Sequence, residues 1–187
     1  MKSTILKKTY VAIYRLLDRV SPIRGDCGAL CGQACCDCDD LAADASKASD
    51  MGMYLLPGEE KVYTRREDWL TWSVDPVEYY DFPDSWRGMV YFIKCNNAPH
   101  CVRKLRPIQC RTFPLAPHIT KSGSFHLILN TDALPYVCPL ITEQIPLNRS
   151  FIRATYTVWK RLIKDPLIYD LVKMDSGRRS PNTIIVR

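Results

Sequence analysis

Histidine and glycine are scarce in this chain. It has three histidines in 187 residues, too few for a centre built mainly on imidazole. His100 adjoins Cys101 and has the placement to complete a Cys₃His site. His118 and His126 fall in a hairpin pattern, where a structural role is the expectation. The eight glycines are scattered. None falls in a phosphate-cradling P-loop, a G-x-G-x-x-G turn or a G-x-S-x-G nucleophile elbow. No apolar run approaches the roughly 20 residues that cross a bilayer. The opening MKSTILKKTYVAIYRLLDRV is interrupted by Lys7, Lys8, Arg15 and Asp18, so it lacks the apolar core of a secretory signal. No run of Lys or Arg interleaved with aromatics marks a nucleic-acid surface. These absences lead us to expect a cytoplasmic protein with neither a membrane nor a nucleic-acid partner.

Cysteine, by contrast, is abundant. Nine thiols fall in four places: Cys27 to Cys38, Cys95 to Cys101, Cys110 and Cys138. The count is odd. Cys35 and Cys36 are neighbours, with Cα atoms about 3.8 Å apart, whereas a relaxed disulfide needs roughly 4.4–6.8 Å. Cytosolic thiols also stay reduced. A disulfide framework is therefore the weak reading, and metal ligation the strong one. The formal net charge of +6 points to an acidic partner only if every thiol is neutral. Bound cysteines are thiolates, and each four-thiolate site around a divalent ion carries two negative charges. Much of the basic excess then balances the metal.

Periodicity divides the chain. Residues 4–20 read as an amphipathic helix, with Ile5, Leu6, Thr9, Ile13, Leu16, Leu17 and Val20 on one face, stopped at Ser21-Pro22. We take residues 1–22 as an N-terminal helix and 23–146 as the cysteine-cluster domain. Residues 147–176 read as C-terminal helices and 177–187 as a loosely held tail. Cys27, Cys31 and Cys35 share a helical spacing, but Gly28 and Gly32 favour turns. Short strands are expected in MGMYLL, KVYT, DWLTWSV, VEYYDF and GMVYFIK, and a hairpin around Lys121-Ser122-Gly123. The aromatics of residues 69–92 read as core and rim. Glu59 and Glu60 follow Pro57-Gly58 and read as a turn into the next element. A helix spans about Arg149 to Lys164, with Phe151, Thr155, Val158, Trp159, Leu162 and Ile163 as its stripe. Asp165-Pro166 reads as the N-cap and first residue of another helix. The fold class is α+β: a small, irregular domain stapled by metal, with short antiparallel strands flanked by terminal helices.

Soft, tetrahedral thiolate shells suit zinc or iron–sulfur clusters. Leaving out one cysteine leaves eight, enough for two such sites. Arg103, Lys104, Arg106 and Arg111 surround Cys101 and Cys110 in sequence. They either offset the charge of a metal–thiolate centre or lie as solvated surface charges. The run Cys31-x₃-Cys35-x₂-Cys38 also has the spacing of radical-SAM clusters. It lacks their usual aromatic before the last cysteine, and the chain lacks their long β/α array.

Two segments carry a family resemblance. The first is Cys27-x₃-Cys31-x₃-Cys35-Cys36. The second is Cys95-x₅-Cys101-x₄-Arg106-Pro107-Ile108-Gln109-Cys110-Arg111-Thr112-Phe113-Pro114, followed by Cys138-Pro139. The chain resembles the zinc- or iron-chelating cysteine-cluster proteins, whose signature is a CxxCxxCC-like cluster followed by an RPxxCRxFP-like segment. The resemblance spans about residues 27–140, with first-cluster spacings of three in place of two. It implies Cys27, Cys31, Cys35, Cys36, Cys95, Cys101, Cys110 and Cys138 as metal ligands and leaves Cys38 without a counterpart. It implies zinc or iron as cofactor, the iron held singly or as a [4Fe-4S] cluster, and names no catalytic residue. The alternatives are an iron–sulfur enzyme related to flagellin lysine methylase and a metal buffering or delivery protein.

Overall fold

Tyr10, Ile13, Tyr14 and Leu17 recur at three- and four-residue steps, and helix α1 (Lys7–Leu17) buries that face. The computed structural model describes residues 1–35, 52–96, 103–131, 136–179 and 184–187. The sequence stripe included Leu6, which is exposed, and missed both tyrosines. Their rings supply apolar area while their hydroxyls need partners. The partners come from other parts of the chain.

The class is α+β. Strands β1 (Met53–Tyr54), β2 (Leu70–Pro76) and β3 (Met89–Cys95) form an antiparallel sheet in the order β1-β3-β2. Leu70 is opposite Cys95 and Trp72 opposite Ile93. Two expected strands are not strands. KVYT lies in a 3₁₀ turn (Glu59–Val62) and the two residues that follow it, and VEYYDF opens with a 3₁₀ turn (Val77–Tyr79). KVYT follows the Pro57-Gly58 turn, and VEYYDF follows Pro76 at the end of β2. Their aromatics pack by caging neighbours, as where Phe82 stacks on Trp86 at 4.5 Å. The short helix α2 (Ile108–Thr112) runs through a cis Phe113–Pro114 bond into β4 (Leu115–Ile119). β4 pairs with β5 (Phe125–Leu129), which puts His118 opposite His126. One helical turn, α3 (Pro139–Thr142), precedes α4 (Arg149–Leu162) and α5 (Pro166–Arg178).

A single core gathers α1, α4, α5, β4 and β5 around Trp86, Phe151 and Leu127. The N-terminal helix is thus part of the main core. A smaller cluster of Leu55, Tyr63, Leu70 and Ile93 lies under the three-stranded sheet. The chain end also differs from the loose tail expected. Helix α5 continues to Arg178. Leu127 N–H donates to the Arg187 carbonyl at 2.6 Å, and the Arg187 guanidinium covers the Tyr156 ring. The free edge of β5 supplies the hydrogen bonds that hold this segment. No helix among the described residues is long and apolar enough to cross a membrane.

Asp165 closes the fold. Its Oδ1 accepts from Leu167 and Ile168 N–H at the start of α5, at 3.0 and 3.3 Å. Its Oδ2 accepts from Ser3 Oγ and from Thr4 N and Oγ1, at 2.7–2.9 Å. One buried carboxylate therefore caps a helix and anchors the N-terminal segment. Asp165→Ala is expected to cost about 2–4 kcal/mol, the sum of a cap and several charge-assisted hydrogen bonds. Asp165→Asn should fall between the two, because it keeps the Oδ1 cap. Urea unfolding of the three proteins checks this. A loss below about 1 kcal/mol for the alanine variant would show that the clamp holds little.

Candidate metal centre

The first cysteine cluster is turn-rich. Asp26 accepts from Gly28 N–H at 3.0 Å and opens a 3₁₀ turn over Cys27–Leu30. Gly32 and Gln33 then take left-handed backbone conformations, with φ of 58° and 63°. The chain thus doubles back within one short segment, and Gln33 N–H donates to the Gly28 carbonyl at 3.0 Å. Cys27 and Cys31 are half-buried and Cys35 is exposed.

The second region packs against this turn. The Arg106 guanidinium donates to Gln33 Oε1 at 3.3 Å, and Arg103 donates to the Val20 carbonyl at 3.2 Å. Burial pushes the Cys27 thiol above its ordinary pKa, against the opposing pull of Arg103 and Arg106 and with Asp26 and Cys31 adding to the rise. Burial likewise raises the Cys138 thiol, opposed by the N–H groups of Leu140 and Ile141, with Cys31 near enough to raise it further. Cys31 thus acts electrostatically on both Cys27 and Cys138, and Arg103 and Arg106 on Cys27. Arg106 is buried and Arg103 half-buried, so neither is a solvated surface charge. Lys104 is exposed. Arg111 is buried but belongs to a different network. It donates to the Lys104 and Tyr14 carbonyls and to Asp18, and lies over the Tyr14 ring.

Cys110 is half-buried in α2. Its thiol is close enough to the Tyr63 hydroxyl to act on it electrostatically. Cys95 ends β3 opposite Leu70. Cys36 and Cys101, together with Cys38 and His100, lie outside the described residues. Among the described residues, no three His, Cys, Asp or Glu side chains converge as a metal would require. His118 and His126 face each other across the hairpin, and burial holds His118 below its ordinary pKa.

The support beneath these thiols was not foreseen. Glu59 is fully buried. It follows Gly58, whose φ of 90° turns the chain inward. Its Oε1 accepts from the Tyr14 hydroxyl at 2.7 Å and from Ile108 N–H at 2.8 Å, and its Oε2 from Leu56 N–H at 3.0 Å. Tyr14 and Tyr63 hydroxyls meet at 2.9 Å, and Tyr63 donates to the Leu105 carbonyl at 2.9 Å. One carboxylate thus fixes the start of the helix that carries Cys110. The only trace in the sequence is an acidic residue directly after the apolar Leu55-Leu56-Pro57-Gly58.

The chain was compared with models of known families, with curated proteins and with solved structures, and it matches none of them.

Burial holds the Glu59 carboxyl above its ordinary pKa, and this outweighs the hydrogen bonds from Ile108, Tyr14 and Leu56; the Glu60 charge adds to the rise. A raised folded value means that the group's contribution to stability is complete below the unfolded pKa of about 4.3 and is lost as pH rises. Glu59→Gln turns an acceptor into a donor facing a backbone N–H, and should cost about 2–4 kcal/mol. The difference in unfolding free energy between parent and variant should shrink as pH rises from 4 towards 7. Denaturant unfolding across that range measures it. A difference that grows with pH would contradict the burial argument.

Proposed function

We propose that this chain is a cytoplasmic metal-binding protein that holds zinc or iron through thiolates from its two separated cysteine regions. The single observation that carries this reading is the packing of the first cluster onto the second region. Gln33 is hydrogen-bonded to Arg106 across 73 positions, and Cys31 is near enough to Cys138 to act on its thiol electrostatically. Tying distant cysteines to one ion closes long loops, and closing them separately is entropically costly. The donor chemistry fits. The half-buried Cys27 and buried Cys138 thiols, with raised pKa values, ionise poorly alone, and a cation offsets that cost directly.

The chain's own residues divide the work. Cys27, Cys31 and Cys138 supply thiolates. Arg103 and Arg106 offset negative charge beside them and hold the turn in place. Glu59, through Ile108 N–H, positions the helix bearing Cys110. Cys35, Cys36, Cys95 and Cys101 complete the proposed ligand set. A bound metal would supply cross-linking of these segments and, as an iron–sulfur cluster, electron transfer.

Anaerobic purification followed by a visible spectrum and zinc, iron and sulfide analysis tests the reading. The expected result is about one or two tightly held metal ions or one cluster per chain. Colourless protein with zinc assigns a structural module, and brown protein with matched iron and sulfide assigns a cluster. Cys31→Ser, Cys110→Ser and Cys138→Ser should each lower bound metal and broaden the unfolding transition. Metal-free wild-type protein, or full metal retention in all three variants, would sink the proposal.

A further inference from the structure

The fold gathers basic residues that no run in the sequence announces. Residues 1–25 and 145–165 are rich in lysine and arginine, and of the chain's 20 acids they hold only Asp18 and Asp165. Both carboxylates already have partners. Asp18 accepts from Arg111, and Asp165 is buried in its clamp. In α4 the buried face carries Phe151, Ala154, Thr155, Val158, Trp159 and Leu162. At about 100° per residue, the opposite ridge carries Arg149, Arg153, Thr157, Lys160 and, just past the helix, Lys164. All are exposed. In α1 the buried Tyr10, Ile13, Tyr14 and Leu17 put Lys8, Arg15 and, just past the helix, Arg19 on the outer side, exposed as well.

The two ridges belong to one face. Asn148, before α4, donates through its N–H and Nδ2 to the carbonyls of Pro22 and Ser21, beyond the end of α1, at 2.7 and 3.0 Å. At the other end Asp165, beyond α4, holds Ser3 and Thr4, before α1. The helices therefore lie antiparallel, tied at both ends, and both bury their inner faces in the same core. Their outer ridges look away from that core on the same side. The α4 ridge alone runs about 22 Å at 1.5 Å per residue. Among the described residues, the salt bridges are Arg111–Asp18 and Arg178–Asp81, and neither involves these cations.

We propose that this face binds the phosphate backbone of double-stranded DNA. Rows of exposed cations with no free carboxylate among them match a polyanion, and the rest of the face selects which one. Membrane-surface helices bury an apolar face in the lipid. Here the apolar faces of α1 and α4 are already buried in the core, and Leu6, just before α1, is the one large apolar side chain exposed beside them. Single strands are held by exposed aromatics on which bases stack. Tyr156 on α4 is half-buried, with Lys160 and the Arg187 guanidinium over its ring. A duplex needs neither feature, because cations and hydroxyls on its phosphates position a protein, and arginine suits phosphate geometry. A convex helix ridge fits the wide major groove of B-form DNA and not the deep, narrow one of duplex RNA. The sequence led us to expect no nucleic-acid partner because a basic run was missing. These cations reach one face only through helix period and through the pairing of helices near opposite ends of the chain. The proposal does not rest on metal binding.

Fluorescence anisotropy of the purified chain with a short labelled DNA duplex of arbitrary sequence tests it. Saturable binding is expected at low salt, falling roughly a hundredfold or more between about 50 and 200 mM salt as counterions are released. Arg149→Glu, Arg153→Glu and Lys160→Glu together should weaken binding at least about tenfold. The milder Arg153→Gln and Lys160→Gln, taken singly, should each lower the slope of log affinity against log salt by about one. Lys121→Gln, in the exposed turn between β4 and β5, should leave affinity and slope unchanged. The same single strand, a duplex RNA of matched length and phosphatidylserine-rich vesicles serve as competitors. No saturable binding to duplex DNA at low salt would overturn the proposal. So would tighter binding to any of the three competitors, or a salt slope that neither glutamine variant on α4 changes.

Discussion

The carboxylate of Glu59 is the contact on which the arrangement of this protein depends. A fully buried carboxyl is costly to desolvate, and it persists only when hydrogen-bond donors offset that cost. Here the donors come from three places in the chain: Tyr14 on α1, Leu56 before the 3₁₀ turn, and Ile108 at the start of α2. Satisfying one side chain therefore fixes the relative position of a helix, a loop and the segment that carries Cys110. The Tyr14–Tyr63 pair extends the same network to the Leu105 carbonyl, so the stretch immediately before α2 is held as well.

Arg111 completes this region from the other side. It is 1% exposed and satisfies two carbonyls and Asp18 while stacking on Tyr14. A guanidinium carries five donors in a fixed fork, and no other side chain serves three acceptors in this geometry. Arg103 and Arg106 differ in role. Arg106 reaches the first cluster through Gln33, Arg103 donates to the Val20 carbonyl, and both act electrostatically on the Cys27 thiol. Three basic residues in one short stretch thus do separate jobs, one holding the core and two facing the thiols.

Helix α2 carries both Cys110 and Gln109, which lines a cavity of about 550 Å³ between β4 and α5. Thr112 holds the same helix against α4 by accepting from the Trp159 indole at 3.2 Å. Anything that shifts α2 would therefore be felt on both sides, because packed helices move as units and not residue by residue.

The sequence by itself determined the α+β class, the hairpin around Lys121-Ser122-Gly123, the stripe of α4 and the Asp165-Pro166 start of α5. These follow from local rules: side-chain period, turn residues and capping, each read within a few positions. It also shows nine thiols gathered in four places, because their number and clustering need no fold to be noticed. Only the tertiary structure decided that Tyr10 and Tyr14 are core residues, that Glu59 is buried and that the chain end docks on β5. It also decided that Arg106 and Arg111 are interior while Lys104 is not. Each of these depends on a partner tens of residues away, and a polar side chain is buried or exposed according to whether that partner arrives. A cysteine cluster is visible in its spacing, whereas a buried glutamate gives no local sign of the donors that make it possible.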